Sequence, residues 1–228
     1  MISDYLPNIG YIIEDVPTEL FQSLKIECEK ANKSRYNSSV QKEVMYSGLT
    51  SRGVTKHYYI EENLYHLNKF VLDMSIAYCK EYPEYVSNIK ILSDPVPFYA
   101  TKSWINIQEK TEYLPNHTHD GIFSYVIWVK LPYDLNQEVK NKSDTTSKIQ
   151  FMYANILGNI VDFSLPIDSS YEGKIMMFPS LLSHCVYPFY TSNENRISIS
   201  GNIALDTSKY ATTEGESETR TDDTKEPN

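Results

Sequence analysis

His117 and His119 stand two residues apart in Pro115-Asn116-His117-Thr118-His119-Asp120-Gly121. In an extended strand that spacing turns both imidazoles to one face and Thr118 and Asp120 to the other. Two imidazoles on one strand make a chelate for a transition metal. His184 lies downstream, after Gly173 and Phe178-Pro179-Ser180, where a strand, a tight turn and a second strand can bring a third ring alongside. Further on, Arg196-Ile197-Ser198-Ile199-Ser200 alternates, so that Arg196 and Ser198 share a face. A guanidinium with a hydroxyl two residues away is a fork for a carboxylate, the guanidinium binding it bidentately and the hydroxyl adding a further donor.

Each of these residues also has a plainer reading. His117 and His119 fit a solvated loop leading into a strand, His184 a strand histidine beside a turn, and Arg196 with Ser198 the wet face of an edge strand. Cys185, next to His184, falls on the opposite face by alternation and reads as core. His57 and His66 read as surface residues on or near a helix, and Asp162 and Asp168 as turn residues.

The elements that must position these groups differ between the two parts of the chain. Asp15-Val16-Pro17 precedes apolar residues at three- and four-residue steps, Leu20, Phe21, Leu24, Cys28 and Ala31, which predicts a helix to about Asn32. A second helix runs through Leu64, Leu67, Phe70, Val71, Met74 and Tyr78 and stops before Pro83. Residues 33 to 57 between them are polar and broken by glycines. From Pro97 the chain becomes a series of short segments rich in Ile, Val, Tyr, Phe and Trp, separated by turn formers, as in an antiparallel sandwich or barrel. Residues 136 to 144 read as a solvated loop between strands. The expected division is a helical region at 1–96 packed on a β-rich core at 97–206, with a disordered acidic tail at 207–228. The fold class is α+β, mainly β.

Composition narrows the function classes. With 228 residues, 41% hydrophobic and 22% charged, the chain can bury a core of its own. A net charge of −9 weighs against a general nucleic-acid or polybasic membrane binder. The three cysteines are too few and scattered for a disulfide framework and read as free thiols of a reducing compartment. The N-terminal stretch lacks the pattern of a secretion signal, and no later stretch is long and apolar enough to span a membrane. The expected location is the cytoplasm, that of a host cell if the chain is virus-encoded; the oligomeric state is left open.

The ordered set of His117-Thr118-His119, Phe178-Pro179-Ser180 with His184, and Arg196-Ile197-Ser198 resembles the Fe(II)- and 2-oxoglutarate-dependent oxygenases. It is most like a subgroup known mainly from genomes, many of them phage. Trp104-Ile105-Asn106 and the run Phe123–Pro132 resemble that group's flanking strands, and the likeness covers about residues 97 to 206. It implies a double-stranded β-helix (jelly roll), with the N-terminal helices packed on it. It also implies Fe(II) held by the histidines, 2-oxoglutarate held by Arg196 and Ser198, and ascorbate as an accessory reductant. The activity implied is hydroxylation of a small-molecule or peptidyl substrate with release of succinate and carbon dioxide. The family's usual iron site has two histidines and a carboxylate, and here His119 takes the place of the acid. Two ligand sets remain open: His117, His119 and His184, which strand parity favours, or a bulged site in which Asp120 supplies the acid. Asn106, Tyr125 and Trp128 are pocket candidates by position. Two rivals stand beside this reading. One is a cupin-like three-histidine dioxygenase without 2-oxoglutarate, which gives Arg196 no duty; the other is a jelly-roll binding module without catalysis.

Overall fold

The computed structural model describes residues 10–34, 45–50, 53–60, 62–89, 97–141 and 144–207. The expected tail, from 208 onward, lies outside the described residues, as do 35–44 of the expected glycine-broken stretch.

Two antiparallel sheets face each other. The larger has seven strands, in the order β1 (Ile12–Asp15), β9 (Lys174–Pro179), β6 (Phe123–Lys130), β11 (Arg196–Leu205), β4 (Phe98–Gln108), β3 (Gly53–Tyr59) and β2 (Met45–Thr50). The smaller has four, in the order β5 (Leu114–His117), β10 (Ser183–Val186), β7 (Ile149–Ala154) and β8 (Ile160–Leu165). The larger sheet centres on β6 and β11, with β4 and β9 outside them. This is the double-stranded β-helix of the sequence expectation.

Alternation along the central strands sorts their side chains between two cores. Ile105, Ile107, Phe123, Tyr125, Ile127, Ile197 and Ile199 join the core under the helices, where α1 (Thr18–Ser34) supplies Leu24 and Cys28 and α2 (Leu64–Glu81) supplies Leu67, Val71, Met74 and Tyr78. Trp128, Met176 and Phe178 point the other way and meet Ile149 and Phe151 of the smaller sheet. On β11, Gly201 is required on the helix side: a Cβ there would lie 2.5–2.8 Å from the phenol of Tyr125.

Four expectations need correction. The first 96 residues are not wholly helical, because β1 (Ile12–Asp15) pairs with β9 and the hairpin of β2 (Met45–Thr50) and β3 (Gly53–Tyr59) pairs with β4. The N-terminal segment thus completes the larger sheet, and a short α3 (Pro83–Ile89) follows α2. His57 accordingly stands on β3, opposite Asn106, whereas His66 is exposed on α2 as expected. The expected loop at 136 to 144 is largely helix α4 (Leu135–Asn141), and its Glu138 is fully buried. Asp162 is a strand residue of β8 that accepts a hydrogen bond from the Gln150 amide, 2.9 Å away; Asp168 does cap a 3-10 turn.

Candidate functional site

β5 and β10 pair antiparallel with His117 directly opposite His184, so backbone register alone brings two imidazoles together. β5 ends at His117, and His119 follows just beyond it, fixed by its N–H, which donates to the Ser180 carbonyl at 2.9 Å. The chain then turns at Gly121, whose φ of +92° and whose approach to the Ile203 carbonyl, 2.6 Å from a Cβ position, admit no side chain. Ring centroids are 4.3 Å apart for His117–His184, 4.8 Å for His117–His119 and 5.2 Å for His119–His184. One nitrogen of each of the three lies within 4.8 Å of the others. Asp120 is exposed and outside this cluster, so of the two ligand sets left open the structure assembles the three imidazoles.

The tautomers follow from the backbone. Nδ1 of His117 donates to the Pro115 carbonyl at 2.7 Å, and Nδ1 of His184 to the Leu182 carbonyl at 2.9 Å. A carbonyl only accepts, so each ring carries its proton on Nδ1 and offers the Nε2 lone pair, the arrangement of a metal-binding histidine with an oriented ring. Burial pushes His184 down to about 3, with the His117 ring adding to the effect, and burial also lowers His117 despite its bond to Pro115. Both rings are therefore neutral near pH 7, as ligation requires. Phe151 and Phe178 wall in the His184 ring, at 5.9 and 5.0 Å between centroids. Cys185 is buried on the far face, as alternation predicts.

The opposite end of the same cavity is cationic. Arg196 is only 4% exposed. Its Nε and Nη2 both donate to the Gln108 amide oxygen, at 3.0 and 2.6 Å; Nη2 also reaches the Tyr187 carbonyl at 2.8 Å. Nη1 donates to the Ser147 carbonyl at 3.2 Å and the Tyr133 hydroxyl at 3.4 Å. The Tyr133 and Phe189 rings lie beside the guanidinium. Every one of these partners is neutral, so a buried positive charge is solvated by oxygens and rings while no carboxylate pairs with it among the described residues. Ser147 holds its place at φ +68°, a conformation that costs a non-glycine residue about 1 kcal/mol.

A cavity of about 680 Å³ joins the two ends. Asn106 and Ser198 border it, with the Asn106 amide donating to Ser200 at 2.9 Å and to Ser198 at 3.4 Å. Trp128 forms part of the wall. Tyr125 also borders the cavity, but its ring packs in the helix-side core and its hydroxyl bonds Ser103 at 2.6 Å, so it is first a core residue. Sequence reasoning missed Trp104 and Gln108. Both follow from the alternation that points to Asn106, since Trp104, Asn106 and Gln108 share one face of β4. It also missed Tyr133, Ser147 and Tyr187, the last two of which act through main-chain carbonyls that no sequence pattern marks.

Comparison with known proteins agrees with this geometry. Residues 102–202, which hold the three histidines, Arg196 and Ser198, match the family described as "Putative 2OG-Fe(II) oxygenase". No curated protein matches the sequence. Among solved structures, the chain is similar to a Pseudomonas putida prolyl-4-hydroxylase (TM-score 0.52, 13% identity, 86% of this chain and 92% of that one). It is also similar to AviO1 from Streptomyces viridochromogenes (TM-score 0.55, 9% identity, 87% and 91%). A third is the non-heme alpha ketoglutarate dependent carbocyclase SnoK from nogalamycin biosynthesis (TM-score 0.53, 10% identity, 87% and 80%). At these identities the likeness to the solved structures is one of fold. The match to the 2OG-Fe(II) oxygenase family thus spans the part of the chain that carries the cluster of His117, His119 and His184, a group of side chains that could hold a metal ion.

The residues present suit that family's cofactors. Three converging imidazoles are a donor set for iron, and a buried guanidinium with only neutral partners calls for an anion.

Proposed function

We propose that this chain is a hydroxylase of a small-molecule or peptidyl substrate. Substrate, dioxygen and 2-oxoglutarate would give hydroxylated substrate, succinate and carbon dioxide. The observation that carries the reading is a single cavity with three converging imidazoles at one end and a buried, anion-seeking guanidinium at the other. Bound Fe(II) with 2-oxoglutarate would activate dioxygen, the oxidant, for attack on a C–H bond.

The protein's own groups would then divide the work. His117, His119 and His184 would hold the iron through Nε2 or its equivalent. Arg196, joined by the Ser198 hydroxyl, would bind the carboxylate of 2-oxoglutarate remote from the metal. The Asn106 amide fixes the Ser198 and Ser200 hydroxyls along that wall. A third imidazole in place of the usual carboxylate leaves the centre one unit more positive, which favours an anionic cofactor. Trp104 and Trp128 narrow the cavity and would exclude water around the reacting carbon. A cupin-type scheme without 2-oxoglutarate would leave the Arg196 charge with no anion to meet. The acidic net charge favours a substrate other than nucleic acid.

The test is succinate release from 2-oxoglutarate with Fe(II), measured with and without a panel of amino acids, peptides and small metabolites. It is paired with anaerobic titration for the visible band of a chelated Fe(II)–2-oxoglutarate complex. Substrate-stimulated succinate and a band support the reading; folded protein that binds Fe(II) but gives neither overturns it.

A further inference from the structure

Five N–H groups leave the Arg196 guanidinium, and all five are directed at neutral oxygens: Nε and one Nη2 donor at Gln108, the other Nη2 donor at Tyr187, and the two of Nη1 at Ser147 and Tyr133. The Nε–Nη2 edge is the edge on which a carboxylate docks bidentately, and the Gln108 amide oxygen already spans it. Tyr133, Ser147 and Tyr187 do not line the cavity, whereas Gln108, alone among the described partners of Arg196, borders it. The orientation of the Gln108 amide is set from both sides. A guanidinium only donates, so Oε1 must face it, and Nε2 then donates to the Glu112 carbonyl in the turn after β4.

Resting on the cofactor assignment to Arg196 above, we infer that Gln108 is a built-in competitor for the remote carboxylate of 2-oxoglutarate. Its amide oxygen occupies the docking edge of Arg196 in the free protein and must yield it when the cofactor binds. A carboxylate wins the exchange because a charged acceptor makes a stronger pair than a neutral amide. Its net affinity is nevertheless reduced by the bonds the amide gives up. Gln108 thereby sets how much 2-oxoglutarate is needed for occupancy, while keeping a buried cation solvated when the cofactor is absent. The cross-strand register of Arg196 with Gln108 makes the arrangement a property of the β4–β11 pair.

The experiment measures 2-oxoglutarate binding by calorimetry on Mn(II)-loaded protein, with Mn(II) affinity as the control for an intact metal end. Gln108→Leu removes the acceptor at nearly constant size. It is expected to tighten 2-oxoglutarate about tenfold, the worth of one hydrogen bond to a charged group, and to enlarge the rise in Tm that 2-oxoglutarate produces. Gln108→Glu places a permanent carboxylate on the edge and is expected to weaken 2-oxoglutarate more than a hundredfold with Mn(II) affinity retained. Gln108→Met serves the same purpose as Leu should that variant fold poorly. Weaker or unchanged 2-oxoglutarate binding in the Leu or Met variant overturns the inference, since a residue that merely supports Arg196 cannot improve binding when removed. Equal 2-oxoglutarate affinity in the parent protein and in Arg196→Leu overturns instead the cofactor assignment itself.

Discussion

The imidazole end of the cavity draws its nitrogens from β5, the residues directly after it and β10, strands that pair with each other. The guanidinium end draws its acceptors from β4, from both sides of α4 and from the chain after β10. The first is set by local register: two histidines two apart, and a third opposite them. The second is assembled from segments far apart in the chain and relies on main-chain carbonyls. The metal end is damaged most directly at its ligands and the few groups that orient them, whereas the anion end can be damaged from any of the segments that surround it.

That contrast is sharpest when one group is removed from each end. His184→Ala takes away a buried ligand and is expected to cost more than about a hundredfold in Fe(II) affinity, beyond the range seen for groups that only support ligands. Asp120→Ala should leave Fe(II) affinity unchanged. Anaerobic Fe(II) titration checks both, and loss of binding in the Asp120 variant alone would restore the carboxylate ligand set. Arg196→Leu should weaken 2-oxoglutarate by about a hundredfold, two charge-assisted hydrogen bonds' worth, with Fe(II) binding kept. Calorimetry with the metal present reads it.

Next in size is a change remote from both ends. Glu138 is fully buried on α4 and accepts from the N–H groups of Tyr190 and Thr191, at 2.9 and 2.6 Å, holding the segment that follows Tyr187 and Phe189. Glu138→Ala orphans those donors. It should cost about 2 kcal/mol of stability and also weaken 2-oxoglutarate, with no effect on Fe(II) affinity. Denaturant unfolding and the same calorimetry test it, and an equal loss at both ends would erase the distinction drawn above.

The smallest effect is a pH dependence of the metal-free protein. His184 has a folded pKa of about 3 against an ordinary value of 6.5, so between these values the unfolded chain binds more protons than the folded one. Stability is therefore full above pH 6.5 and falls as pH drops below it. The loss is about 1.4 kcal/mol at pH 5.5 from this group alone, and His117 adds in the same direction. Unfolding at pH 7.5 and 5.5, in parent and His184→Ala, measures it; the variant should lose most of the slope.

The same contrast explains what the sequence made legible. His117, His119, Arg196 and Ser198 are readable because a two-residue period in a strand converts spacing directly into a shared face. The solvation of Arg196 is not readable, because the oxygens of Ser147 and Tyr187 belong to the main chain and their approach depends on tertiary packing. α4 reads as loop because the one buried residue among its described side chains is a carboxylate, Glu138, satisfied by backbone donors. β1 has four residues and finds its partner only in distant β9, and the hairpin of β2 and β3 contains Gly48 and Gly53, which in isolation signal breaks. The two long helices show plainly because three- and four-residue apolar steps persist over several turns.

The phenol that fills the place of a missing Cβ at Gly201 ties two positions into a single unit of variation. A methyl group at 201 would drive the Tyr125 ring from its seat and from Ser103, so Gly201→Ala alone is expected to be costly, and shortening Tyr125 in the same chain is expected to recover part of the loss. Among chains that fold this way, anything larger than hydrogen at the first position should be met only beside a truncated neighbour at the second. An alignment in which bulky residues occupy both places at once would contradict that coupling.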